Sequence, residues 1–146
     1  MTLLENKKAG FDYEVLEKFE AGINLLGFEV KALKIKRGSI IGAHVIIRGG
    51  EAYIVGMEIP PYQPLNTPKD YDPKRTRKLL LHKKEIDYLE GKGSQKGLTL
   101  IPFRAYTKNG FIKISFAVSR GLKKYDKREK IKKRDIEREI GRNLKT

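Results

Sequence analysis

Two turn dipeptides, Gly49-Gly50 and Asn109-Gly110, each lie between a pair of apolar runs, and they constrain the fold of this chain more than any other feature. Both can adopt the positive φ angles that a two-residue hairpin turn demands. The first joins Ala43–Arg48 to Glu51–Met57, the second Leu98–Tyr106 to Phe111–Val118. In the last run Ile112, Ile114, Phe116 and Val118 share one face while Lys113 and Ser115 point the other way, the period-two signature of a half-buried strand. Phe11, Tyr13 and Val15 alternate with Asp12 and Glu14 in the same manner and predict a strand that runs toward Phe19; Ile23–Leu26 predicts a short extended piece. Helical spacing is confined to Gly27–Lys34, which ends before Gly38, and to His82–Glu90, for which Gly91 is the expected stop.

About six strands, two hairpins and only short helices predict a mainly β fold: a six-stranded antiparallel barrel of oligonucleotide-binding type, closed so that strand edges are not exposed. Between the hairpins, Glu58 to Lys78 contains five of the six prolines and reads as a long loop, functional or disordered, closing on the cationic string Arg75-Thr76-Arg77-Lys78.

The chain has 146 residues, enough for one core and one domain, with a body over 1–119 and a tail over 120–146. That tail carries twelve Lys and Arg against five Asp and Glu, half of the net charge of +14. Its apolar residues Ile136, Ile140 and Leu144 make a stripe one residue wide, too narrow to dock on a core. Pairs such as Glu129 and Lys133 support a helix by only about 0.2–0.5 kcal/mol each, too little to hold it alone in water. The expectation is a tail that is disordered when free and helical on a polyanion, set against the alternative of a solvated charged extension. So basic a chain points to nucleic acid or anionic lipid, since Lys and Arg displace counterions from phosphates. A lipid-binding tail calls for a broad apolar face that this one lacks.

The remaining chemistry is mostly excluded. There is no Cys, and the only histidines, His44 and His82, are too few and too far apart to suggest a metal site; His44 reads as a surface or interface residue. Acidic residues are scattered singly, so neither acid/base catalysis nor a cofactor is expected and the chain reads as non-enzymatic. No apolar run of 18 residues suggests a membrane span, and the amino-terminal residues lack a secretory signal, so a cytoplasmic location is expected.

Five strings, in order, narrow the reading: Phe19-Glu20-Ala21-Gly22, Glu29-Val30-Lys31-Ala32-Leu33, Arg75 to Lys83, Lys108-Asn109-Gly110, and Gly121-Leu122-Lys123-Lys124-Tyr125-Asp126-Lys127-Arg128. Together they resemble the small protein B family, the SsrA-binding proteins of bacterial trans-translation, and the match runs from Asn6-Lys7-Lys8-Ala9 to the tail. The resemblance implies binding to the tRNA-like domain of transfer-messenger RNA through Glu20, Leu80 and Lys113, with Lys7, Lys8, Arg75, Arg77 and Lys78 as further RNA contacts. It also implies the ribosome as a partner, and elongation factor Tu indirectly through the aminoacylated RNA, with no membrane. Gly121, Lys123, Lys124, Tyr125, Asp126, Lys127 and Arg128 fall where the family's tail probes the decoding centre and the empty mRNA channel. Two positions depart from the pattern: Leu122 stands where Lys is common, and Gly10-Phe11 replaces a basic residue and a His.

The residues themselves leave several of these roles open. Glu20 could orient a cation, accept from a 2′-hydroxyl, or sit in a turn before Gly22; Leu80, in a Leu triplet, suits core packing as well as contact with a base. A general ribosomal RNA-binding barrel would share the charge, the fold and the arm.

Overall fold

A computed structural model describes residues 1–122 and, beyond them, Arg128, Ile131, Lys132 and Arg134. Its elements are β1 (Thr2–Glu5), α1 (Lys7–Asp12), β2 (Tyr13–Ile23), α2 (Gly27–Lys34), β3 (His44–Arg48), β4 (Glu51–Val55), β5 (Arg77–Leu80), α3 (Lys83–Gly93), β6 (Leu98–Lys108) and β7 (Phe111–Gly121). All strand pairings are antiparallel, in the order β1-β6-β3-β4-β5-β2-β7, and β6 pairs with β7 as well. The ladder from β6 through β3, β4, β5, β2 and β7 therefore returns to β6. β1 pairs with β6 beyond its single pairing with β3.

Both expected hairpins form, with positive φ at Gly49 and Gly50 and at Asn109 and Gly110. The inward face of β7 is as the alternation predicts: Ile114, Phe116 and Val118 are buried, and Phe116 stacks on Phe19 of β2 with ring centroids 5.7 Å apart. They join Ile54, Leu79, Leu33 and Met57 in one core. α2 forms over the expected residues, and α3 runs two residues past Gly91 to Gly93. α3 packs against β3, β6 and β7.

Several expectations are corrected. The described residues form seven strands, not six. Phe11 belongs to α1, which Asn6 starts: its side chain accepts from the Ala9 N–H at 3.2 Å and donates to the Pro102 carbonyl at 3.2 Å. Those bonds tie β1 and α1 to the point where the β6–β7 register shifts, between Pro102 and Arg104, a place in a long strand where proline's missing N–H is tolerated. β2 runs unbroken through Ile23, with a register shift against β7 between Val15 and Glu17, and Leu16 is exposed on its outer face with Glu14, Lys18 and Glu20. β7 reaches Gly121, and the Leu122 N–H donates to the Asp12 carbonyl at 2.9 Å. Of the tail, Arg128, Ile131, Lys132 and Arg134 have helical backbone, and the Arg134 guanidinium lies 4.9 Å from the Phe11 ring centroid.

Candidate nucleic-acid interface

Strand β2 lies between β5 and β7, and Gly22 marks the crossing: it faces Leu80 on one side and Lys113 on the other. Strand alternation buries Ala21 and turns Glu20 and Gly22 outward together. Glu20, Leu80 and Lys113, drawn from three separate stretches of sequence, thus meet on one outer surface. A Cβ placed on Gly22 would sit 3.4 Å from the Leu80 Cβ and 3.7 Å from the Lys113 Nζ. The structure separates the Leu triplet: Leu79 is buried in the core, whereas Leu80 is 50% exposed. The surface is concave. A cleft of about 530 Å³ is lined by Glu20, Gly22, Lys78, Leu80, His82 and Lys113. A second, of about 400 Å³, shares Gly22, Leu80 and Lys113 and adds Leu25, Lys34 and Phe111.

Glu20 is held in place by two residues that sequence reasoning missed. The Tyr106 hydroxyl donates to its carboxylate, and Lys108 Nζ lies 3.2 Å from Oε1. The Tyr106 bond holds the Glu20 carboxyl below its ordinary range; desolvation is the next-largest effect and opposes it, and Lys108 and then Lys113 add to the lowering. Burial and the adjacent Glu20 carboxylate push Tyr106 up to about 12. Glu20 is therefore a fixed anion, an acceptor for a 2′-hydroxyl or a base amino group. No sequence signal links Tyr106 to Glu20, 86 residues away.

The other expected cations divide. Lys78 lines the larger cleft, with its Nζ 3.0 Å from Glu51. Lys7 and Lys8 are exposed on α1; Lys8 lines a separate cleft of about 310 Å³ with Tyr13, Ile41 and the exposed His44. Arg77 is a correction. Its side chain is fully buried, with Nε and Nη2 donating to Glu29 at 2.8 and 2.6 Å and further bonds to the carbonyls of Met57, Pro73 and Arg75. No donor is left to face RNA. Arg75 is largely committed to the same carboxylate, with Nη2 at 2.5 Å. Lys123, Lys124, Tyr125, Asp126 and Lys127 lie outside the described residues, as does nearly all of the tail. Gly121 ends β7, and Arg128 is exposed.

The buried Glu29 explains what the cationic string does. Its carboxylate also accepts from the Leu26 N–H that starts α2 and from the Tyr71 hydroxyl, both at 2.8 Å, so the proline-rich segment is pinned onto α2. Burial opposes ionisation of Glu29, but Arg75, the Leu26 amide, Arg77 and Tyr71 outweigh it and hold the pKa at about 2 against an ordinary 4.5. A depressed folded-state value stabilises the fold above the ordinary pKa, and that contribution fades as pH falls through the window from about 4.5 to about 2. It amounts to roughly 3 kcal/mol. Denaturation midpoints measured across this window should fall for the natural chain and change much less for Glu29→Gln. Parallel slopes would mean that other carboxylates dominate acid unfolding.

Among the described residues no group of His, Cys, Asp and Glu is placed to hold a metal, and no helix is long and apolar enough to cross a membrane. The model of the SmpB protein family matches residues 3–146. The SsrA-binding protein of Oleidesulfovibrio alaskensis is 49% identical over 142 residues, covering 97% of this chain and 91% of that one. That of Chlorobaculum tepidum is 48% identical over 141 residues, covering 96% and 89%. A chain in a solved structure described as "tmRNA-SmpB: a journey to the center of the bacterial ribosome" superposes with a TM-score of 0.70 at 40% identity, covering 90% of this chain and 95% of that one. With its family model matched almost end to end and its relatives this similar throughout, the chain belongs to the SmpB protein family.

Proposed function

We propose that this chain binds transfer-messenger RNA and brings it to stalled ribosomes for trans-translation, as a binding protein without catalysis of its own. The observation that carries this reading is the convergence of Glu20, Leu80 and Lys113 on one concave surface of a protein whose relatives are SsrA-binding proteins. The body acts as a barrel of oligonucleotide-binding type that holds the RNA's tRNA-like domain, and a closed circuit of six strands with short helices supports that assignment. Lys78 and Lys113 supply charge to phosphates, Leu80 an apolar contact, and Glu20 a fixed acceptor. The tail from residue 120 onward works on the ribosome, where Lys123, Lys124, Lys127 and Arg128 follow ribosomal RNA and Tyr125 stacks on a base of the decoding centre. The protein acts in the cytoplasm and meets elongation factor Tu only through the aminoacylated RNA.

The test compares the full chain with one ending at Leu122, titrated with the isolated tRNA-like domain and with a duplex RNA of equal length across a salt series. Counterion release weakens both RNAs in parallel, so specific recognition appears as a persistent gap between them. The shortened chain should retain most of the gap and lose peptide tagging on stalled ribosomes. Equal affinities for the two RNAs, or tagging that survives while the gap closes, would refute the proposal.

A further inference from the structure

The tail leaves the body beside α1. β7 ends at Gly121, opposite Tyr13, and the bond from the Leu122 N–H to the Asp12 carbonyl fastens the chain to the carboxyl end of that helix. Twelve positions further on, the Arg134 guanidinium lies 4.9 Å from the centroid of the Phe11 ring. Exit and contact thus fall on consecutive residues of α1, Asp12 and Phe11. Three other cations lie over rings among the described residues: Lys31 on Tyr62, Lys92 on Tyr88 and Arg104 on Tyr106. Each of those joins parts of the body, whereas Arg134 brings the tail to it.

Net charge does not favour this arrangement. The chain carries +14, and the exposed Lys7 and Lys8 of α1 repel a basic tail. A specific attraction has to hold Arg134 there, and the ring supplies one. A guanidinium on an aromatic face gains from the ring quadrupole and from flat stacking, and it is less strongly hydrated than an ammonium. Phe11 is half-buried, held on α1 yet reachable from solvent. Its neighbour Gly10 adds no side chain to crowd it. Ile131 stands three residues before Arg134, on the same face of the helical segment, and offers an apolar companion.

We infer that Phe11 is a docking site for the chain's own basic tail, which holds Arg134 against α1 until ribosomal RNA takes that guanidinium over. This rests on the proposed function, in which the tail works on the ribosome, and adds a competition to it. Arg134 cannot lie on the Phe11 ring and follow an RNA backbone at the same time. A cation–π contact at an exposed site shifts such an equilibrium by about two- to fivefold. The site therefore biases the tail toward the body without locking it, and it weakens the apparent affinity for the ribosome by the fraction of chains it withdraws.

The chain contains no cysteine, so Gly10→Cys gives a single attachment point for a nitroxide, where an added Cβ meets nothing within 4 Å. In the free full chain the label should broaden the amide resonances around Arg134. Phe11→Leu keeps the apolar bulk but has no ring face, and should lower the ratio of docked to undocked tail by about two- to fivefold; Phe11→Trp should raise it. Arg134→Lys keeps the charge and should also lower it. Without the label, Phe11→Leu should bind purified stalled ribosomes up to about fivefold more tightly and Phe11→Trp more weakly, with melting temperatures within about 3 °C of the natural chain. Should Phe11→Leu fail to fold, Arg134→Lys carries the comparison of broadening. Broadening that is absent with Phe11 in place, or the same in all the variants, overturns the docking site. So does an affinity for stalled ribosomes that fails to rise in Phe11→Leu. The broadening is read without RNA, so a chain that docks its tail but binds no stalled ribosome overturns the proposed function alone.

Discussion

Replacing Glu29 with Ala is expected to destabilise the chain by about 3–5 kcal/mol, the scale seen when one partner of a buried ion pair is removed, and to lower its melting temperature by roughly 10–20 °C. The loss follows from what remains. Arg77 has no exposed side-chain surface, and without the carboxylate its guanidinium keeps only the carbonyls of Met57, Pro73 and Arg75 and the Tyr71 hydroxyl. Arg75 loses its anchor, and Tyr71 loses one acceptor. Since Arg77 begins β5, RNA affinity should fall along with stability, because Leu80 sits at the other end of that strand. Two controls separate charge from shape. Glu29→Gln keeps an acceptor at the amide and should cost less than Glu29→Ala. The double replacement Glu29→Leu with Arg77→Met removes both buried charges and should recover much of the loss, since a well-packed apolar pair often matches a buried ion pair. A melting temperature for Glu29→Ala within about 3 °C of the natural chain would show that water reaches Arg77 and that the network is not closed.

The same network shows where the sequence was legible and where it was not. Elements governed by local chemistry could be read directly: two hairpins with glycine or asparagine in their turns, the alternation along β7, and the helical spacing of α2 and α3. β5 was hidden because its inward positions are Arg77 and Leu79. An arginine on the core face breaks the apolar alternation, and only a partner 48 residues away, Glu29, makes it admissible. The cationic string therefore read as a loop end offered to phosphates. β1 is too short for its pattern to stand out, and α1 depends on Asn6, whose capping and carbonyl contacts cannot be seen without Pro102. The site was legible in part. Glu20, Leu80 and Lys113 came from family likeness, and their meeting follows from strand order, which no local pattern encodes. Tyr106 and Lys108 went unnoticed because their role is to hold Glu20, a residue more than 80 positions away in the sequence.

Leu80→Asp should reduce affinity for the tRNA-like domain by about a hundredfold while leaving the melting temperature within about 2 °C. Stability is spared because Leu80 is half exposed, at the end of β5, and faces only Gly22 across the ladder. Binding suffers through two effects. Covering an exposed half of a leucine contributes about 1 kcal/mol, which an aspartate forfeits. The new carboxylate also stands beside Lys113, withdrawing that ammonium from RNA and setting a negative charge toward phosphates; at an effective dielectric constant near 20 this costs about 2 kcal/mol more. Near 3 kcal/mol in total is roughly a hundredfold. Leu80→Met keeps the apolar surface and should stay within threefold, and Leu80→Ala should lie between the two. The salt dependence discriminates further, because losing Lys113 as a phosphate contact lowers the slope of log affinity against log salt by about one for Leu80→Asp but not for Leu80→Ala. If Leu80→Asp binds within threefold of the natural chain with its fold intact, the RNA lies elsewhere on the protein, and the cleft containing Lys8 and His44 becomes the surface to probe.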